Sequence, residues 1–198
     1  MCVSSAPFVT ASVSRSVRYV EKSTIPGSTT LIYLAHGASG SVATMKPHLD
    51  GLIRRGLDAR GVALPVGKAE RAIDAYRSQV ADLRHSVVGG HSFGGRVASL
   101  LAAQEAPRGL VLLSYPLHRP GHPDGQRTEH WPSIGCPVLL LSGESDPFAR
   151  IDLLRAAVQL LPNVELVTYP RVGHGLVAVL DDALDRVAAF VEGLSQTD

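Results

Sequence analysis

The sequence predicts an α/β fold, a doubly wound and mostly parallel sheet. Short, nearly continuous apolar runs alternate with helical stretches along most of the chain. Those runs lack the polar alternation of half-exposed strands, as strands covered by helices on both faces do. Finally, polar residues with chemistry follow the ends of several runs, where a parallel sheet opens its crevice.

Seven strands are expected: Val17–Glu21, Thr29–Ala35, Leu57–Ala63, Ser86–His91, Gly109–Ser114, Pro137–Ser142 and Val164–Tyr169. Helical stretches lie between them at Lys46–Arg55, Ala69–Leu83, Phe93–Gln104 and Arg150–Gln159. A last helix is the clearest. Leu180, Leu184, Val187, Val191 and Leu194 recur at spacings of four and three, one apolar helical face. Such alternation implies βαβ units with right-handed crossovers. One long irregular piece, Tyr115–Gly135, is rich in Pro, His and Gly, and is expected to be functional or mobile.

Composition narrows the possibilities. The chain has 198 residues, 45% hydrophobic and 19% charged, which suits one well-filled core. We expect a single domain over residues 17–198 and a flexible tail over residues 1–16. That tail has no early positive charge or solid apolar block, so it does not read as a signal peptide. A net charge of +1 without a basic run argues against nucleic acid or a membrane surface as partner. No apolar run approaches the roughly 20 residues that span a bilayer. Cys2 and Cys136 make no disulfide framework, so a cytoplasmic setting is expected. No His, Cys or carboxylate cluster has metal-ligand spacing, and neither a metal nor a cofactor is expected.

The most informative stretch is Gly90-His91-Ser92-Phe93-Gly94. A buried-strand segment, Ser86–Gly89, precedes it, and a small-residue helix from Gly95 follows. Strand, sharp turn and helix form the setting of a nucleophile elbow. Glycines at 90 and 94 let the two elements approach, and the helix N-terminus aims N–H groups at the reacting oxygen. Asp146 follows the Pro137–Ser142 run, and His174 follows Val164–Tyr169. The order Ser…Asp…His therefore has each residue at a strand's carboxyl end. A serine hydroxyl needs a base near neutral pH, which His supplies, and a carboxylate fixes the imidazole tautomer. The N–H of Phe93 is one expected oxyanion donor. The second is the N–H of Ala38, in the His36-Gly37 loop.

Each residue has a plainer alternative. Ser92 could serve as a helix N-cap, and Asp146 as a turn residue before Pro147, with Glu144 as its rival. His36 is read as a brace for its loop or a pocket group, and His91 as packing beside the elbow. His118, Arg127 and His130 are possible pocket residues or solvated loop residues.

These motifs make the chain resemble an α/β-hydrolase from about Val17 to Leu194. Gly90-His91-Ser92-Phe93-Gly94-Gly95 matches the elbow, Asp146 the acid, His174 the base and His36-Gly37-Ala38 the oxyanion loop. More narrowly, the chain resembles a small lidless group near the dienelactone-hydrolase-like proteins. That group includes a testis-expressed protein and a subunit of a histone-acetyltransferase complex. Ser114-Tyr115-Pro116-Leu117-His118, Arg127-Thr128-Glu129-His130 and Gly143-Glu144-Ser145-Asp146-Pro147-Phe148 carry this likeness. Dienelactone hydrolases use Cys where this chain has Ser92, so their specificity is not carried over. The resemblance implies a minimal fold without a cap domain, with Tyr115–Gly135 the one candidate cover. It also implies a serine hydrolase of small acyl substrates without a cofactor. A fold-bearing scaffold, or an acyltransferase or perhydrolase using the same residues, is the alternative.

Overall fold

Six of the expected apolar runs form one all-parallel sheet. The structure, a computed structural model, describes residues 30–195. The expected strand Val17–Glu21 and the tail over residues 1–16 lie outside the described residues. In chain order the elements are β1 (Leu31–Ala35), α1 (Lys46–Arg54), β2 (Asp58–Val62), α2 (Ile73–Arg77), β3 (Ser86–His91) and α3 (Phe93–Gln104). They continue with β4 (Gly109–Leu113), β5 (Val138–Gly143), α4 (Ile151–Ala157), β6 (Val164–Tyr169) and α5 (Leu180–Ser195).

The strand order is β2-β1-β3-β4-β5-β6. From β1 the chain winds outward to β2, then returns and winds the other way from β3. The order therefore reverses between β1 and β3, and a crevice opens at their carboxyl ends.

Successive residues of each strand serve opposite cores, which is why the strands read as unbroken apolar runs. Leu34, Val111, Leu113 and Leu139 face one side with Leu52 of α1 and Leu184, Val187 and Val191 of α5. Tyr33, Leu110, Leu112 and Leu140 face the other with Tyr76 of α2, Val97 and Leu101 of α3 and Leu154 of α4. Burying each such Leu or Val stabilises the fold by about 1.5–3 kcal/mol.

The predicted helix over Ala69–Leu83 is a correction. Only Ile73–Arg77 is α-helical, preceded by a 3₁₀ turn at Ala69–Arg71. Side chains end it. The Gln79 amide pairs with both the N–H and the C=O of Ala63, at 3.0 and 2.8 Å. Asp82 accepts from the His85 N–H and ring, drawing the chain into the turn before β3.

What this short helix delivers is Tyr76. Its buried hydroxyl sits between β1 and β3, 2.8 Å from the carbonyl oxygens of Tyr33 and Gly89. The Gly89 N–H donates back to it at 2.9 Å. Burial pushes its pKa upward, so the group stays a neutral donor.

Tyr115–Gly135 contributes Pro116, Arg119 and Arg127 to a cleft beside Ser92, while its large side chains turn inward. Tyr115, Leu117 and Trp131 are fully buried in the core. The Tyr115 and Trp131 rings pack with centroids 5.1 Å apart. The Tyr115 hydroxyl donates to the Arg127 carbonyl and the Arg127 N–H to the Leu117 carbonyl, which closes the loop on itself. Its three large side chains are anchors.

Tyr76→Phe should destabilise the protein by about 1–3 kcal/mol, because it removes a buried hydroxyl bonded to the Tyr33 and Gly89 backbone. Urea unfolding measures this. An unchanged midpoint would show that the hydroxyl is not a clasp between β1 and β3.

Candidate active site

Ser92 stands at the reversal point, between β3 and α3. Its backbone has φ 52° and ψ −113°, a conformation that L residues rarely adopt. The Ser92 N–H donates to the Leu113 carbonyl and the Arg96 N–H to the Ser92 carbonyl, which pins the turn from both sides. A Cβ on Gly90 would lie 2.5 Å from the Ala35 carbonyl oxygen, and one on Gly94 would overlap the same group. Only glycine lets β1, β3 and α3 meet this closely.

Ser92, His174 and Asp146 form one hydrogen-bonded line. The Ser92 hydroxyl donates to His174 Nε2 at 2.8 Å, and His174 Nδ1–H donates to Asp146 Oδ2 at 2.7 Å. Asp146 is 4% exposed. Its other oxygen accepts the Phe148 N–H at 2.8 Å, so the turn's own backbone holds the carboxylate. Glu144 is engaged elsewhere, accepting from Arg155 and from the Thr168 hydroxyl, both at 2.9 Å.

Phe93 opens α3, where the first N–H groups have no intrahelical acceptor. Ala38 lies in the turn after β1 and, with Ser92, lines the clefts on both sides of the serine. Both residues expected to supply oxyanion donors thus line the cleft that holds Ser92.

The four possible pocket residues separate. Arg127 lines a cleft beside Ser92. His36 does not; it is a brace, donating to the Gly37 carbonyl and accepting the Leu64 N–H. His118 is buried, donating to the Arg119 carbonyl and accepting the Arg150 N–H. His130 bonds the buried Ser99 hydroxyl of α3 at 2.8 Å and lines neither cleft beside Ser92. His91 donates from Nε2 to the His174 carbonyl at 3.0 Å, which steadies the loop that carries the imidazole. Burial holds His91 below its ordinary pKa, so it stays neutral in this role.

Two clefts adjoin Ser92. One, of about 570 Å³, is mostly apolar and carries Met45, His48, His174 and Val177. The other, of about 550 Å³, carries Lys68, Glu70, Arg96, Arg119 and Arg127. Phe148 is their shared wall, its ring centroid 4.4 Å from that of His174. Sequence reasoning gave no role to Phe148, Arg96, Arg119, Lys68 or His48. Arg96 alone carried a signal, since it lies one helical turn after Ser92 and so shares its face of α3. The others come from separate loops that only the fold assembles. Among the described residues, no group of three His, Cys, Asp or Glu side chains could hold a metal ion. None of the helices there is long and apolar enough to cross a membrane.

With this geometry in view, the comparisons with known proteins are consistent with one another. Residues 54–189 match the family model described as an alpha/beta hydrolase domain, and the chain belongs to that family. It is 30% identical over 141 residues to a non-heme chloroperoxidase of Burkholderia pyrrocinia, covering 65% of this chain and 51% of that protein. The chain thus spans about half the length of this curated relative. Among solved structures it is similar to Est1E from Butyrivibrio proteoclasticus with ferulic acid bound, with a TM-score of 0.69 at 18% identity. That match covers 83% of this chain and 89% of the other. A monoacylglycerol lipase of Paleococcus ferrophilus matches with a TM-score of 0.67 at 15% identity, covering 85% and 95% of the two chains. At such identities the structural likeness establishes the fold.

Two half-buried imidazoles make stability depend on pH. Burial, aided by His91, lowers the His48 pKa to about 4. Burial, aided by Arg96, does the same to His130. The ordinary value is 6.5. Between these limits the unfolded chain binds more protons than the folded one, so acid favours unfolding. The contribution is fully present above about pH 6.5 and declines as pH falls toward 4. Urea midpoints should be lower at pH 5 than at pH 7, and His130→Gln should shrink the difference. A difference unaffected by this variant would exclude His130 as a source.

Proposed function

We propose that this protein is a serine hydrolase that cleaves a carboxylic ester or related small acyl bond through an acyl-enzyme. The observation that carries the reading is the unbroken line from the Ser92 hydroxyl through His174 to buried Asp146, set on a strained elbow. Three neighbouring loops converge on this arrangement, whereas an N-cap serine or a turn aspartate would need no such partners.

The chemistry follows from the atoms. As Ser92 Oγ attacks the acyl carbon, His174 Nε2 takes the hydroxyl proton. Asp146 holds the Nδ1–H tautomer and stabilises the imidazolium that forms. The Phe93 and Ala38 N–H groups receive the developing oxyanion. His174 then returns the proton to the leaving oxygen, the C–O bond breaks, and Ser92 is left as an ester. Water, deprotonated by the same imidazole, attacks that ester and frees the acid. No step calls for a cofactor.

An open mouth suits short acyl groups. Trp131 and Leu117, large apolar side chains of residues 116–135, are buried in the core and line neither cleft, so they offer no apolar wall to a long acyl chain.

Ser92→Ala should lower esterase turnover by about 10³-fold or more while thermal unfolding stays near that of the parent. A fluorophosphonate probe should label the parent and not the variant. Equal labelling of the two would remove Ser92 as nucleophile, and a folded parent that is never labelled would favour a scaffold that keeps the fold.

The acid has its own test. Asp146→Asn should reduce kcat by several orders of magnitude, since an amide cannot hold the required tautomer or balance the imidazolium. Glu144→Gln should reduce it far less, because its carboxylate is spent on Arg155 and Thr168. The reverse ranking would transfer the role to Glu144.

A further inference from the structure

We infer that the substrate carries a negative charge at the far end of its acyl group, as in the mono-ester of a short dicarboxylic acid. The inference rests on the serine-hydrolase reading and adds to it the polarity of the acyl part. The two clefts beside Ser92 differ in charge, and Lys68, Arg96, Arg119 and Arg127 stand against one carboxylate, Glu70, in the cleft that His174 does not reach. The whole chain carries a net charge of only +1, so this cleft concentrates positive charge.

Three of the four cationic side chains are without a carboxylate partner among the described residues. Glu70 is committed to Arg96, at 2.6 Å. Among the described residues Lys68, Arg119 and Arg127 have no carboxylate partner. The one side-chain hydrogen bond of Arg127 is a 3.3 Å contact with the Pro116 carbonyl. Burial and the neighbouring guanidinium groups of Arg96 and Arg119 weigh against its charge. An anion entering here would relieve that repulsion as well as pair with the donors, and a guanidinium fork matches a carboxylate in two hydrogen bonds.

Proton transfer decides which part of the ester this cleft receives. His174 must protonate the leaving oxygen and later activate water, so leaving group and water occupy its side of Ser92. His174 lines the apolar cleft with Met45, His48 and Val177, and it is absent from the cationic one. The acyl part is left with the cationic side, and it stays there while the acyl-enzyme awaits water. The favoured ester thus joins an anionic acyl group to a small apolar alcohol. On hydrolysis it yields a dicarboxylate and a neutral alcohol, and the oxygen of water is retained in the new carboxylate.

The test compares esters matched in size, followed by acid release. Monoethyl succinate differs from ethyl butyrate only in a carboxylate for the terminal methyl. Its alkyl leaving group resists expulsion by the substrate's own carboxylate. At low salt kcat/KM for monoethyl succinate should exceed that for ethyl butyrate by about tenfold or more, and the ratio should shrink at 0.5 M NaCl. Arg127→Gln should bring the ratio close to one, as should Arg119→Gln, a change at an exposed side chain that keeps the fold. As a control on direction, 3-acetoxypropanoate carries the same charge on the alcohol part and should gain nothing over propyl acetate. Turnover of ethyl butyrate with no gain from the succinate carboxylate would overturn the inference alone. So would a gain that survives both variants, or a preference for 3-acetoxypropanoate. If no ester turns over and the fluorophosphonate probe leaves Ser92 unlabelled, the serine-hydrolase reading fails and the inference falls with it.

Discussion

Where β1, β3 and α3 converge, three backbones approach more closely than side chains would allow. The Gly90 and Gly94 backbones press on the Ala35 carbonyl, so α3 starts directly above the end of β1. This contact forces the chain to reverse within one residue, and Ser92 absorbs the reversal at φ 52°. Such a conformation costs on the order of 1–3 kcal/mol. The cost is offset locally by the two backbone bonds that pin Ser92 and more broadly by the apolar face of α3. The same contact fixes the rest of the site. It brings the loop after β1, with Ala38, alongside the first N–H groups of α3, and it raises the serine toward the loops that follow β5 and β6.

Those loops hold their side chains by a related economy. Asp146 is buried with one imidazole and one backbone N–H as its partners. A buried carboxylate is costly unless its lone pairs are satisfied, and here both oxygens are. His91 ties the His174 carbonyl to β3. The imidazole is thus positioned from its own loop, from the Asp146 turn and from the elbow strand. Both ends of His174 are set by neighbours before any substrate arrives, which is what preorganisation means at the level of atoms.

The sequence was most legible where function and fold are local. Strands buried on both faces leave continuous apolar runs, and β3 to β6 were found with ends displaced by at most one residue. The elbow is encoded within five residues, and Asp146 and His174 followed from their positions just past strand ends. Non-local constraints were harder to read. Ala69–Leu83 has helical spacing, but Gln79 and Asp82 draw the backbone away through partners at Ala63 and His85. Tyr115–Gly135 has the composition of a surface loop. Its three large side chains reach a core whose shape is set by α3 and β4, and nothing in the loop itself announces that. Lys68, Arg96, Arg119 and Arg127 are scattered over sixty residues, and only the assembled crevice makes them one group.

Phe148 gives that crevice its asymmetry. It follows the Asp-Pro turn, and its N–H is one of the two donors to Asp146. The residue that helps hold the carboxylate therefore also supplies the wall between the two clefts. Its ring lies against His174 on one side, and the cationic side chains gather on the other. One aromatic side chain thus joins the hold on Asp146 to the division of the crevice, with His174 lining one cleft and the cationic side chains the other.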